Sequence, residues 1–161
     1  MAGLAAVAGD QADARTQLAT GEGRFQARYD KLPVGSHDRI QAHVRWLNMK
    51  SEVVALMRDW MELEQLSRET LVTAADGLVQ RPDDNELLLR RATAQYFLGT
   101  ALLNEGKGSE AVPALQLALT GFRDTPPEIR FTENRDSYIE KIKLALAESS
   151  TKPEVKELHQ P

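Results

Sequence analysis

Apolar side chains recur at steps of three and four residues along most of this chain, which is the period of an amphipathic helix. No segment shows the sustained alternation of β-branched residues that is typical of strands, and the Asn-Gly turn of tight hairpins is absent. The pattern therefore predicts an all-α fold of about six or seven helices. The first stripe lies within residues 1–32 and consists of Leu4, Val7, Ala14, Leu18, Phe25, Tyr29 and Leu32.

Glycine and proline divide this pattern into elements. Gly21 and Gly23 each cost about 1 kcal/mol relative to Ala in a helix, so a break is expected between Thr20 and Gly23. Pro33 and Gly35 end the N-terminal helical segment, 1–32.

Ser36 is a favourable N-cap for the next helix. The stripe that follows consists of Ile40, Val44, Leu47, Val54, Met57 and Met61. A helix of some 45 residues is improbable in a compact domain, so we expect a turn near Glu64–Ser67, with Ser67 as the next cap.

Two further start signals follow along the chain. Asp84, at the end of the loop 81–84, should cap a helix that carries Leu87–Leu103. The residues Thr125-Pro126-Pro127-Glu128 form a capping box for a last helix, 126–148. Its inward residues are expected to be Ile129, Ile139, Ile142 and Leu146. The polar segment 149–161 is expected to be a flexible tail.

The strongest pattern lies between Ala94 and Ala118, where two amphipathic helical segments are joined by a turn that contains Gly106 and Gly108. Small residues at fixed places let two helices approach closely, as in a hairpin that stacks on others like it. This stretch resembles a tetratricopeptide repeat. The residues that match that family are Leu98, Gly99 and Leu102 in the first helix, Gly106 in the turn, and Ala111, Leu115 and Ala118 in the second helix.

The resemblance covers one unit, 92–125, of roughly 34 residues. It departs from the family at Gln95, where Trp is common, and at Pro126 and Pro127, which come later than the closing Pro. A weaker unit is expected at 51–82, with helices Ser51–Glu64 and Leu66–Gln80. Arg58 occupies the place where the family prefers Gly.

The resemblance implies a short solenoid of antiparallel hairpins in which the first helix of each unit lines a groove that binds a partner. In the clear unit the groove residues would be Thr93, Tyr96, Thr100, Leu103 and Asn104. The alternative is that Tyr96 and Leu103 are buried by the preceding helix. The Lys and Asn residues with which some members of the family hold a peptide carboxylate are not present.

Composition narrows the class of partner. The chain has 161 residues, no Cys and a net charge of −4, which argues against nucleic acid bound over the whole surface.

No run is as long as the roughly 18 apolar residues that a membrane span needs. Met1–Gly9 lacks the basic region of a signal peptide, so we expect a soluble protein. The cytoplasm is the favoured compartment, and the periplasm stays open if the chain is a fragment.

Candidate catalytic and metal-binding groups are sparse. His37 and His43 are six residues apart and do not share a helix face, and His159 stands alone in the tail. Ser36 and Asp38 are explained by helix capping. We therefore expect no metal site, no cofactor and no enzymatic activity.

Trp46 and Trp60 are fourteen residues apart, so on one continuous helix they would lie near one face. Either they pack against the N-terminal helix, or they form a patch that recruits a partner. The sequence thus favours a single domain, 1–148, that serves as a scaffold or interaction module for a protein or peptide. A helical oligomerisation or accessory domain of a larger regulatory or sensor protein is the alternative, and it implies a homo-oligomer.

Overall fold

The computed structural model describes residues 11–126 and 135–151, and within these ranges the regular structure is entirely α-helical. The all-α prediction is confirmed for this part of the chain. Its helices are α1 Gln11–Tyr29, α2 His37–Met57, α3 Trp60–Gln80, α4 Asn85–Asn104, α5 Gly108–Asp124 and α6 Arg135–Thr151.

Two predicted N-caps are confirmed. The Ser36 hydroxyl accepts a hydrogen bond from the backbone N–H of Arg39 at 3.3 Å and starts α2. One carboxylate oxygen of Asp84 accepts from the N–H groups of Glu86 and Leu87, at 2.9 and 3.0 Å, and starts α4. These side chains satisfy donors that have no partner within the helix.

The break predicted between Thr20 and Gly23 is wrong, because α1 continues through both glycines. A Cβ on Gly21 would lie 3.3 Å from the Trp46 ring, whereas nothing lies within 4 Å of one on Gly23. Packing of Leu18 and Phe25 against α2 and the apolar core outweighs the low helix propensity of two glycines.

The turn predicted near Glu64–Ser67 is also wrong, because the chain turns at Arg58 and Asp59. Arg58 adopts a left-handed conformation with φ 59°, and the Asp59 side chain caps α3 by accepting from the Glu62 N–H. Ser67 is buried inside α3, where its hydroxyl donates to the Leu63 carbonyl oxygen at 2.7 Å. The helix bounds predicted for the weaker unit, Ser51–Glu64 and Leu66–Gln80, therefore do not hold.

At the C-terminal end, Ile142 is fully buried and Ile139 and Leu146 pack beside it, as predicted. Ile129 and half of the predicted capping box, Pro127 and Glu128, lie outside the described residues. Helix α6 extends to Thr151, three residues into the segment 149–161 that is predicted to be a flexible tail. The rest of that predicted tail also lies outside the described residues.

Successive helices from α1 to α5 pack against each other in opposite directions. In α2 and α3, Lys50 pairs with Glu62 at 3.6 Å, while Gln80 at the far end of α3 donates to the Gly35 carbonyl oxygen just before α2. In α4 and α5, Gly99 faces Leu115 and Ala92 faces Gly121. Helices α2 and α4 run in the same direction, since Arg45 pairs with Glu86 and Asn48 donates to the Arg90 carbonyl oxygen.

The four central helices form two hairpins that repeat at a constant offset along the chain. Helices α2 and α4 begin at 37 and 85, and α3 and α5 begin at 60 and 108, so the same offset separates both pairs. Ser51 and Gly99 are related by this offset, and both are small and buried. The offset exceeds the roughly 34 residues of a tetratricopeptide unit, because α2, α3 and α4 have 20 or 21 residues each.

Gly99 offers a direct test of helix approach. A Cβ there would lie 2.6 Å from Leu115 Cγ and 3.3 Å from the Ala111 carbonyl oxygen, and Leu115 is fully buried. We expect Gly99→Ala to lower the free energy of unfolding by about 1–3 kcal/mol, measured by denaturant titration, because the core must shift to admit the methyl group. The matched control is Gly23→Ala, which should raise stability by about 0.5–1 kcal/mol in open space on α1. Equal effects at the two sites would contradict the close-packing role of Gly99.

Candidate functional site

The five residues predicted to line a groove on α4 are mostly covered. Thr93 is buried, and its hydroxyl donates to the Leu89 carbonyl oxygen at 3.1 Å. Thr100 is half-buried, and Asn104 is exposed, with its amide donating to the Thr100 carbonyl oxygen at 2.8 Å. Leu103 is half-buried and packs against two apolar clusters. The α4 face therefore offers little open apolar surface.

Tyr96 is held in an aromatic cluster that joins α4, α5 and α6. Its ring lies 4.9 Å from that of Tyr138 and 5.5 Å from that of Phe97, and Tyr138 stacks on Phe122 at 5.3 Å. Burial raises the pKa of Tyr96, and it raises that of Tyr138 to about 12. Tyr96 is thus covered both by α6, which follows it in the chain, and by the core cluster of the preceding helices.

Trp46 and Trp60 do not share a helix face, because the turn at Arg58 and Asp59 places them on α2 and α3. The Trp46 ring is 8% exposed and stacks on Phe25 of α1, with centroids 5.1 Å apart. Packing against the N-terminal helix, one of the two predicted alternatives, is therefore confirmed for Trp46. Trp60 is half-buried against the apolar cluster that contains residues of α1, α2, α3 and α4.

An open cleft lies between α1 and α2, with a volume of about 660 Å³. Trp46, Leu18 and Val53 form its buried apolar lining, and Met49 and Leu56 are 44% and 48% exposed. The remaining lining residues are polar or small: Gln17, Thr20, Gly21, Arg24 and Glu52. Sequence analysis missed this site, although Met49 and Leu56 lie seven residues apart with Glu52 between them, a spacing that places them along one helix face.

Glu52 and Arg24 are the charged groups of this cleft. Much of the Glu52 side chain is exposed, yet partial burial of its carboxyl raises its pKa, while the positive charge of Arg90 on α4 opposes that rise. The negative charge of Glu52 also contributes to the raised pKa of Tyr138. Glu52 therefore lies within electrostatic range of Arg90 on α4 and Tyr138 on α6.

A polar seam connects the first half of α2 with the start of α4. The second carboxylate oxygen of Asp84 receives His37 Nε2 at 2.5 Å and the amide of Gln41 at 2.8 Å. Farther along, the Arg45 guanidinium binds both carboxylate oxygens of Glu86 at 2.5 Å. Asp84 thus caps α4 and attaches α2 to it, so the seam fixes the relative position of two helices.

Within residues 11–126 and 135–151, no group of three or more His, Asp or Glu side chains is placed to hold a metal ion. In the same ranges, no helix combines the length and apolar character needed to cross a membrane. No family model, no curated protein and no solved structure matches the chain.

Asp84→Ala tests the seam. It removes the N-cap of α4 and the partner of buried His37, so we expect the free energy of unfolding to fall by about 2 kcal/mol, about half from each loss. The control is Asp83→Ala in the same loop, an exposed position where the change should stay within about 0.5 kcal/mol. Equal stability of the two variants would contradict the role of Asp84.

The same carboxylate predicts a dependence on pH. Burial alone would raise the pKa of Asp84, but hydrogen bonds from Leu87 N–H, His37 and Gln41 outweigh it and lower the pKa. Its contribution to stability is therefore present above the unfolded value of about 3.9 and is lost as pH falls through the folded value. Between pH 5 and 2, stability should decline more steeply for the wild type than for Asp84→Asn, by denaturant titration at each pH.

Proposed function

We propose that this chain is a non-enzymatic protein-interaction module with a tetratricopeptide-like arrangement of stacked helical hairpins. It binds a peptide or helix of a partner protein and acts as a scaffold. The observation that carries the proposal is the cleft between α1 and α2, an open apolar surface on a rigid helical framework. We place the partner there and not on the α4 face, because Thr93, Tyr96 and Leu103 are largely covered.

The composition of the cleft supports protein binding. Interface centres combine buried aromatic anchors with exposed apolar side chains and a polar edge. Trp46 supplies the anchored ring, Met49 and Leu56 the exposed apolar area, and Gln17 and Thr20 part of the edge. Met is a favourable residue for this task, because its flexible side chain adapts to different partners.

The solenoid part of the proposal is supported by the packing of α2 to α5. Each helix packs antiparallel to the next, and the first helices of the two hairpins, α2 and α4, run parallel and in contact. That is the neighbour relation of stacked hairpins. The residues that match the tetratricopeptide family, Leu98, Gly99 and Leu115, are ones that let two helices approach closely. This match does not depend on helix length, so it is compatible with a repeat unit longer than the usual one of that family.

Self-association, as in an oligomerisation or accessory domain, is the second candidate. Its support is a row of exposed apolar side chains on α3: Met61, Val72 and Val79 are 71%, 66% and 83% exposed. They are eleven and seven residues apart, so they lie on one face of the helix. If this face pairs two copies, the chain sediments as a dimer at micromolar concentration and Val72→Asp with Val79→Asp makes it a monomer.

The double variant Met49→Asp with Leu56→Asp tests the binding proposal. A partner is first captured with the full chain from the cells that produce it, identified, purified and titrated by calorimetry. Charges in the cleft should weaken binding by at least about thirtyfold, equivalent to about 2 kcal/mol, because they place unpaired carboxylates against the apolar face of the partner.

The matched control is the α3 variant Val72→Asp with Val79→Asp, which changes charge equally and should leave the affinity for the partner unchanged. Both variants alter exposed positions and should keep the helical circular dichroism of the wild type. Undiminished affinity of a folded Met49→Asp, Leu56→Asp variant would show that the partner binds elsewhere.

A further inference from the structure

We infer that the cleft between α1 and α2 binds an amphipathic helix of about three turns. Beside its apolar face, this helix carries a Lys or Arg that faces Glu52 and an Asp or Glu that faces Arg24. This inference rests on the proposed function and specifies the chemistry of the partner. It follows from the shape of the cleft, from its apolar rows and from the position of two charges.

The shape of the cleft favours a helix as its occupant. Trp46, Met49, Val53 and Leu56 recur at steps of three and four along α2, and they form a ridge beside the antiparallel helix α1. A third helix packs into such a space by setting its own ridge between those of its neighbours. From Trp46 to Leu56 the wall extends over ten residue steps, or about 15 Å at 1.5 Å per residue, which is about three turns.

Glu52 favours a basic group on that helix. Other glutamates near it are paired: Glu62 binds Arg15 at 2.9 Å, and Glu86 binds Arg45. Among the described residues, no Lys or Arg forms an ion pair with Glu52. Arg90 on α4 acts on its carboxyl only at longer range, and the carboxyl is partly desolvated. A Lys or Arg side chain delivered by a partner would form the direct ion pair that Arg90, acting at longer range, does not form.

Arg24 predicts where the acidic residue of the bound helix should lie. Helices α1 and α2 are antiparallel, with Gly21 against the Trp46 ring and Gln11 donating to the Met57 carbonyl oxygen. Arg24 therefore lies toward the Trp46 end, and among the described residues it too has no ion-pair partner. Glu52 is six residues beyond Trp46, or about 9 Å along the axis. Arg24 is three residues beyond Gly21, or about 4.5 Å on the other side of Trp46, so the two charges lie about 13.5 Å apart along the axis. Complementary charges on the bound helix should be separated by about nine residues, or about two and a half turns.

The test uses a defined probe, a yeast-display library of 14-residue helices. Leu is fixed at positions 4, 7 and 11, and the other positions are randomised. Selection on the full chain should enrich Lys or Arg beside the Leu stripe, with Asp or Glu about nine residues away. For a synthetic enriched peptide, Glu52→Lys should lower the affinity at least about tenfold, because an attraction becomes a repulsion. Selection on Glu52→Lys should favour acidic residues at the same position.

Asp76→Lys is the matched control, since it makes the same change of charge at an exposed site on α3 and should alter the affinity less than about twofold. Enriched peptides with no charge preference, or with an affinity that Glu52→Lys leaves unchanged, would overturn this inference. If those peptides still lose binding in Met49→Asp with Leu56→Asp, the proposed function survives that outcome. Failure to enrich any peptide also overturns the inference, and the titration of the natural partner then judges the proposed function separately.

Discussion

Three glycines let the four central helices approach one another closely, and this close contact determines how the helices are arranged. A Cβ on Gly77 would lie 2.5 Å from Leu87 and 2.9 Å from Ile40, so this glycine lets α3 meet both α2 and α4. Gly99 and Gly121 do the same between α4 and α5, against Leu115 and Ala92. Larger residues would separate helices whose fully buried contacts supply most of the hydrophobic stabilisation. The positions of α1 and α6, and hence of the cleft, follow from this central arrangement.

The fold was partly predictable because several of its signals are local. Ser36 and Asp84 cap helices with their own side chains, and Gly106 takes a positive φ of 78° in the predicted turn, so neighbouring residues alone identify these boundaries. The turn at Arg58 was not predictable in the same way. A non-glycine residue in the left-handed region is uncommon, and here Asp59 capping and the packing of α2 on α3 stabilise it. Likewise, Gly21 suggested a break but serves as a contact for Trp46, which lies on the next helix and is not a sequence neighbour.

The candidate site was harder to predict than the fold, because it depends on which surfaces remain uncovered. The α4 residues follow from the family resemblance alone, which identifies a helix face without showing what packs on it. Tyr138 covers part of that face, and it lies on α6, two helices beyond Tyr96 in the chain. The cleft needs α1 beside α2, and α1 was expected to be broken. Trp46 was singled out correctly as a notable side chain, yet its ring forms the buried wall of a site whose exposed residues are Met49 and Leu56.

The ion pairs of this protein are distributed unevenly, and that unevenness bears on function. Arg15 links α1 to Asp59 and Glu62 at the turn, and Lys107 links the α4–α5 turn to Glu64, whose pKa it lowers to about 2 together with Arg68. These pairs fasten the ends of helices to their neighbours, where an exposed pair adds little stability alone but restrains geometry. Glu52 and Arg24 lack such partners among the described residues and lie in the same open cleft. Charges that form no direct ion pair within the fold and lie beside exposed apolar side chains are suited to selecting a partner, because a partner with the wrong charge there binds less tightly.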